Sequence, residues 1–184
     1  MQGDLVEECP VPVFSESLVF DDRQDLDSLL NVLRRGVGIQ RVRSIVMTQA
    51  CDLEQQKVHN VILCPAYSIA DFQTDWAAAE ARRTGHPPRT SIWDGHVKSI
   101  KAGRIWNLTL LRKREPGEGI NLTTPTTVVD FHEVFSVPLG FLTLWLQKRN
   151  QARLRLRPPY REHLSQGFAR FFMRVGLPVD ITET

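Results

Sequence analysis

Three residues that can carry chemistry lie close together between two apolar segments of the sequence. Cys51 and Asp52 follow the segment that ends at Thr48, and His59 precedes the next one. A cysteine activated by a histidine is a nucleophile, so Cys51 and His59 are candidates for covalent catalysis if the turn brings them together. Asp52 also has an ordinary role, because an aspartate at this point can form an Asx turn or a cap. A third interpretation is metal binding by Cys51, His59 and Cys64. Because these residues lack the C-x-x-C spacing of structural zinc sites, we predict no metal and no cofactor.

A second group of candidates is basic and lies further along the chain. Arginines alternate with leucines over residues 152–157, and two prolines and a tyrosine follow. Guanidinium groups bind phosphates and a tyrosine ring stacks on a base, so the pattern predicts a nucleic-acid contact. The residues concerned are Arg153, Arg155, Arg157, Tyr160 and Arg161. Packing of the same residues on the acidic N-terminal segment is the alternative.

Charge is divided unevenly along the chain, although the formal net charge is only +2. Residues 1–30 carry eight acidic side chains against Arg23 alone, and residues 147–174 carry eight basic side chains against Glu162 alone. Such polarity indicates nucleic-acid contact by the basic end, docking of a partner, or packing of the two ends against each other. A solvated charged surface is the ordinary alternative.

The hydrophobic pattern predicts strands first, helices inserted in the middle and helices last. We predict strands over residues 3–14, 17–20, 43–48, 61–65, 105–111, 126–137 and 152–157. We predict helices over residues 26–35, 70–83, 92–101 and 160–175, and a turn at 116–119. The apolar segment 139–147 fits either a helix or a strand.

This order of elements is typical of an α+β fold with a small, mostly antiparallel sheet or barrel. We expect one domain over residues 1–184, with a barrel core over about 1–137, inserted helices over 70–101 and a basic helical extension over about 138–184. Three unspaced cysteines, no secretory leader and no long apolar run predict a cytoplasmic protein that does not contact a membrane.

Three stretches of the sequence resemble the PemK/MazF-like toxin family. Gly3-Asp4-Leu5-Val6 is similar to the Gly-Asp opening of that family. Residues 43–48 resemble its Arg-Pro strand, with Ser44 where the family has proline, and residues 61–68 resemble its apolar strand that ends in Pro-x-Thr. The similarity covers residues 3–69, and this chain departs from the family in its long segment before Arg43 and in the helices that follow.

The resemblance implies an SH3-like barrel elaborated by helices and metal-free cleavage of RNA. In that reaction the ribose 2′-OH attacks the adjacent phosphate, which requires a base, an acid and a cation. Arg43 would supply the cation, and Ser68 or Tyr67 a hydroxyl donor. The structural alternatives are a surface charge for Arg43 and a helix N-cap for Ser68.

Two hypotheses of different classes follow. The first is an RNA-acting PemK/MazF-like protein of a toxin or phage-defence system, which either cleaves RNA or only binds it. The second is a non-enzymatic scaffold that docks a protein partner, or a second copy of itself, through its acidic and basic ends.

Overall fold

The computed structural model describes residues 1–15, 17–115 and 122–173, which form a mixed α+β fold. Six strands are described: β1 (Leu5–Phe14), β2 (Val37–Val46), β3 (Asn60–Ser68), β4 (Leu108–Leu111), β5 (Thr127–Asp130) and β6 (Phe135–Pro138). Six helices accompany them: α1 (Leu26–Gly36), α2 (Ala50–Glu54), α3 (Ile69–Thr84), α4 (Thr90–Lys101), α5 (Leu139–Arg149) and α6 (Tyr160–Phe172).

The described strands form one antiparallel sheet that is open rather than closed. Its order is β1-β2-β3-β5-β4, and β6 pairs with residues 60–63 of β3. A barrel of the kind that the resemblance implies would need β1 and β4, which end the order, to pair with each other. Instead the start of β1 meets an irregular segment near α6: the Leu5 N–H donates to the Leu154 carbonyl, and the Leu156 N–H donates to the Gly3 carbonyl, both at 2.9 Å.

Both faces of the central part of the sheet are buried, because adjacent residues of the central strands are apolar and point to opposite faces. Val46 and Leu63 lie on one face, in a cluster that includes Leu142 of α5; we call it the α5 face. Ile45, Cys64, Val129 and Phe131 lie in a second cluster with Leu164 of α6, which we call the α6 face.

Helices α3 and α4 pack at the end of the sheet formed by β4 and β5. Ile100 of α4, Leu108 and Val128 form a small third cluster there. An aromatic group joins the two helices: the His96 ring centroid lies 4.9 Å from that of Trp76 and 5.8 Å from that of Trp93.

Most of the predicted elements are confirmed within a few residues. Helices α1, α3, α4 and α6 correspond to the predicted ones, residues 139–147 are helical, and the predicted segment 126–137 contains both β5 and β6. Helix α2 was not predicted. The turn predicted at 116–119 and the last residues of the segment 160–175 lie outside the described residues.

Two predicted strands are wrong. Residues 17–20 form no strand, because the Leu18 side chain packs against Gly36 instead of joining a ladder. Residues 152–157 form only an isolated bridge between Asp4 and Arg155. Within the described residues, no helix combines the length and the apolar character needed to cross a membrane.

Candidate nucleic-acid interface

The acidic start and the basic end of the chain meet at Asp4. This side chain is only 2 % exposed, and it accepts hydrogen bonds from Arg155, including one at 3.2 Å from Nη2, and one at 3.4 Å from Arg153 Nε. Arg149 Nη1 lies 2.7 Å from a carboxylate oxygen of Glu8 in a similar pairing. For these residues the packing alternative is therefore confirmed.

Gly3 allows this close approach of the two chain segments. Its φ is +76°, a region that L side chains rarely adopt, and a Cβ at this position would lie 3.2 Å from the Leu156 Cβ. The Gly3-Asp4 pair therefore has a structural explanation: the glycine lets the segment approach, and the aspartate binds its arginines.

Beside this contact lies a cavity of about 720 Å³ on the α6 face, which we call the basic cavity. The residues after β4, the segment 154–157 and the start of α6 line it. Apolar side chains, among them Leu5 and Leu164, belong to its walls, and so do the hydroxyl-bearing Thr109, Thr124 and Thr127. Its cationic lining residues are Arg112, Lys113, Arg114, Arg155 and Arg157.

Three of these cations have no acidic partner among the described residues. Lys113 pairs with Glu115 at 2.6 Å and Arg155 pairs with Asp4. No ion pair within residues 1–15, 17–115 and 122–173 involves Arg112, Arg114 or Arg157. Among the described residues, the lining of the cavity therefore carries positive charge that no acidic side chain pairs, and such charge attracts an anion.

Only some of the basic residues predicted from the sequence lie at the basic cavity. Arg155, Arg157 and the exposed Tyr160 line the basic cavity. Arg153 lies outside the lining and contacts Asp4, and Arg161 Nη2 pairs with Glu162 at 2.9 Å.

The run Arg112-Lys113-Arg114 was missed as part of a site. A sequence signal existed, since three consecutive basic residues directly follow the apolar strand β4. Only the pairing of the strands, however, brings this run to the same cavity as residues 155–160.

Arg43 and Tyr67, two of the residues implied by the resemblance, are not brought together. Ser44 pairs with Pro65 in the β2–β3 ladder, so Arg43 and Tyr67 point to opposite faces of the sheet. Arg43 Nε lies 2.8 and 2.9 Å from the two carboxylate oxygens of Glu7. The Tyr67 hydroxyl donates to Glu133, and burial together with this hydrogen bond raises the pKa of Tyr67.

Ser68 has a structural role, which was given above as the alternative to catalysis. Its Oγ accepts a 3.1 Å hydrogen bond from the Asp71 N–H and donates to the Asp71 carboxylate at 2.6 Å. These bonds make Ser68 the N-cap of α3. In this position its hydroxyl is already engaged by the helix that it starts.

The turn residues form no catalytic pair. Cys51 is exposed in α2, and its thiol lies 3.6 Å from Gln49 Oε1 and 3.8 Å from Asp52 Oδ1. His59 is exposed directly before β3, and none of the hydrogen bonds among the described residues joins it to Cys51. Asp52 lies in the first turn of α2, where Gln49 is the N-cap residue, and its carboxylate accepts no backbone N–H there. Asp52 therefore forms neither the Asx turn nor the cap that were its ordinary roles.

The other two cysteines are unsuited to nucleophilic chemistry. Burial raises the pKa of the Cys9 thiol to about 11 and that of Cys64 to about 12, so both stay protonated near neutral pH. Within the described ranges, no three histidine, cysteine, aspartate or glutamate side chains are grouped so that they could hold a metal ion.

Comparison of the chain with protein-family models, with curated proteins and with solved structures finds no match. The function is therefore argued from the geometry of the described residues.

Proposed function

We propose that this protein binds single-stranded RNA at the basic cavity and does not cleave it. The observation that carries the proposal is the grouping of Arg112, Arg114 and Arg157, which have no acidic partner among the described residues, around one cavity. Guanidinium groups bind phosphate oxygens through two parallel hydrogen bonds, and they supply most of the affinity for a nucleic-acid backbone.

The lining of the cavity matches a nucleotide better than a simple anion. Tyr160 is exposed at the cavity and offers a ring on which a base can stack. Apolar walls and threonine hydroxyls surround a volume of about 720 Å³, which is in the range of small-ligand sites. A splayed-out base with its phosphate fits this arrangement, whereas a duplex keeps its bases stacked and paired.

Binding without cleavage is the form of the RNA hypothesis that the geometry favours. The implied cation Arg43 is paired with Glu7 and points away from the face that carries Tyr67. The SH3-like barrel and the toxin or phage-defence context rest on the resemblance, and RNA binding at the cavity requires neither. We place this function in the cytoplasm, where Cys9, Cys51 and Cys64 stay reduced.

The test is a titration of a fluorescently labelled single-stranded RNA, followed by anisotropy at several salt concentrations in the presence of EDTA. We expect an affinity that falls with rising salt, because each neutralised phosphate adds about 0.7 to the slope of log K against log salt. Arg157→Ala and Arg112→Ala should each weaken binding and each reduce that slope by about 0.7. Arg82→Ala is the matched control, since Arg82 is exposed in α3 and lies outside the cavity.

The same samples run on a denaturing gel separate the two forms of the RNA hypothesis. Intact RNA with salt-dependent binding supports the proposal. Cleavage that Arg43→Ala abolishes would instead favour the nuclease at the β2–β3 hairpin. RNA that neither binds nor is cleaved would leave the scaffold hypothesis.

A further inference from the structure

Helix α1 exposes the side chains that a helix normally buries. Leu26, Leu30 and Leu33 lie four and three residues apart and therefore share one side of the helix. Their exposed fractions are 79 %, 49 % and 37 %, and α1 contributes no buried residue to the core. We call these three residues the α1 stripe. The other apolar residues of α1, Leu29 and Val32, are half-buried. An apolar stripe that a helix leaves exposed in this way indicates a surface that binds a partner.

The outer parts of the two strands that carry α1 pair with no third strand among the described residues. Residues 9–14 of β1 pair with residues 37–42 of β2, whereas β3 pairs with β2 only at Ser44–Val46. The outer part of this arm is therefore a ribbon of two strands, which is marginally stable in water by itself. Phe14 and Ile39 on the ribbon are exposed large hydrophobic residues. A partner that covered the arm would stabilise it.

We propose that the α1 stripe binds a second copy of this chain, with the two α1 helices packed antiparallel about a two-fold axis. Charge complementarity identifies this occupant. Asp27 and Arg34 are seven residues apart, so both lie on the same flank of the stripe. Neither forms an ion pair within its own copy among the described residues.

In an antiparallel pair, the same flank of each helix faces its counterpart. Asp27 of one copy then lies beside Arg34 of the other, and the symmetry repeats this contact. A two-fold interface of this kind is self-complementary, as the commonest homodimers are. Leu30, in the middle of the stripe, would meet Leu30 of the second copy at the axis.

Association through the strand edge is disfavoured by the sequence of β1. Pro10 and Pro12 lie in this terminal strand of the sheet and remove two N–H donors. The helix face is therefore the surface through which two arms can associate. This inference does not depend on RNA binding, since the basic cavity is lined by none of the α1 residues.

Sedimentation velocity over a concentration series tests the proposal. We expect the unaltered protein to sediment as a dimer and Leu30→Glu to sediment as a monomer. Because Leu30 is exposed, the variant should keep its circular dichroism spectrum. Leu144→Glu is the matched control, since Leu144 is exposed on α5 and should not affect association.

A charge swap tests the antiparallel arrangement. Asp27→Arg and Arg34→Asp should each weaken self-association, because each places two like-charged pairs at the interface. An equimolar mixture of the two variants should restore a dimer that contains one copy of each. A protein that is monomeric at every concentration, a Leu30→Glu variant that still dimerises, or a mixture that stays monomeric would overturn the proposal. Monomer that binds anionic vesicles through the same leucines would assign the stripe to a lipid surface instead.

Discussion

At the scale of single residues, Gly3 determines whether the segment 154–156 can approach β1. Its positive φ of +76° and the 3.2 Å distance from a built Cβ to the Leu156 Cβ both oppose a side chain. We expect Gly3→Ala to lower the free energy of unfolding by about 1–2 kcal/mol. Urea denaturation followed by circular dichroism measures this change.

Gly140→Ala provides the contrast for this prediction. Gly140 lies in α5, and a Cβ at that position would meet no atom within 4 Å. Alanine should therefore raise the free energy of unfolding by about 0.5–1 kcal/mol, as in an ordinary helix. Equal destabilisation by the two substitutions would contradict the backbone explanation for Gly3.

Asp4 and its two arginines should respond unequally to substitution. Replacing Arg153 and Arg155 together by alanine leaves a buried carboxylate without its guanidinium partners, which we expect to cost about 3–5 kcal/mol of folding stability. Asp4→Asn should cost less, about 1.5–3 kcal/mol. The reason is that the arginine side chains are 32 % and 55 % exposed and can be hydrated once the carboxylate is gone.

Thermal and urea denaturation of these variants decide the order of their stabilities. Arg161→Ala serves as the comparison, because its partner Glu162 is its sequence neighbour on α6. A double arginine variant that is as stable as Asp4→Asn would show that the Asp4 carboxylate is hydrated and that the buried pairing contributes little.

Single residues of the candidate site could be predicted only where a local pattern marked them. Alternation with leucine marked Arg155 and Arg157, and both line the cavity. Arg112 and Arg114 were missed because strand pairing, rather than sequence proximity, brings them to the site. The resemblance suggested that Arg43 and Tyr67 act in one site. In the observed pairing of β2 with β3 they lie on opposite faces of the sheet, and a shift of one residue in this register would reverse the face of each side chain.

At the scale of elements, the α3–α4 pair contains a histidine among aromatic rings. His96 contacts Phe72, Trp76 and Trp93, and its Nε2 is buried without a hydrogen-bond partner among the described residues. Burial lowers the pKa of His96, although the nearby Glu80 opposes the shift. The imidazole is therefore favoured in its neutral form.

This shift predicts a pH dependence of stability. The unfolded chain binds a proton at His96 with a pKa of about 6.5, and the folded chain binds it less readily. The contribution of neutral His96 to folding stability is therefore fully present above the unfolded-state pKa. It is lost as pH falls through that value toward the lower folded-state pKa. Tryptophan fluorescence during urea denaturation, measured at several pH values on both sides of the unfolded-state pKa, should show lower stability in acid.

The control for this prediction is His96→Phe, which keeps a ring at the position and removes its titration. Its unfolding free energy should change less between the two ends of the pH series than that of the unaltered protein. An identical pH slope in both proteins would assign the effect to other groups.

Helices and strands could be predicted where the hydrophobic periodicity was strong. The prediction failed where strand formation depended on the availability of a neighbouring sheet edge. Apolar residues at helical spacing predict α1, α3 and α6 from the sequence. The alternation over 152–157 also predicted a strand, but β1 bulges between Val6 and Cys9, so the neighbouring edge is available only up to Leu5. Whether a sheet closes likewise depends on which edge strands pair with each other. The residue pattern within a single strand carries no information about that pairing.

At the scale of the whole molecule, two buried faces of one sheet sustain the fold. Phe131 is fully buried on the α6 face, where its ring lies 5.6 Å from that of Phe168 and 6.3 Å from that of Phe171. We expect Phe131→Ala to lower the free energy of unfolding by about 3–5 kcal/mol, because it opens a cavity between α6 and the sheet.

Phe14→Ala is the matched comparison for Phe131→Ala. Phe14 is exposed on the arm, so its loss should change the stability of the monomer by less than about 0.5 kcal/mol. Differential scanning calorimetry on both variants measures the two effects. Similar losses would mean that the arm contributes to the core as much as the α6 face does.

The contact between Asp4 and Arg155 joins residues 151 positions apart, and this separation has a consequence for biosynthesis. A ribosome releases β1 long before the arginines that neutralise its buried carboxylate. During that interval Asp4 has to remain hydrated, and the start of the sheet cannot adopt its final burial. The nascent chain therefore depends on contacts of the middle strands to collapse first, and β1 acquires its final environment only after residues 153–156 have left the exit tunnel.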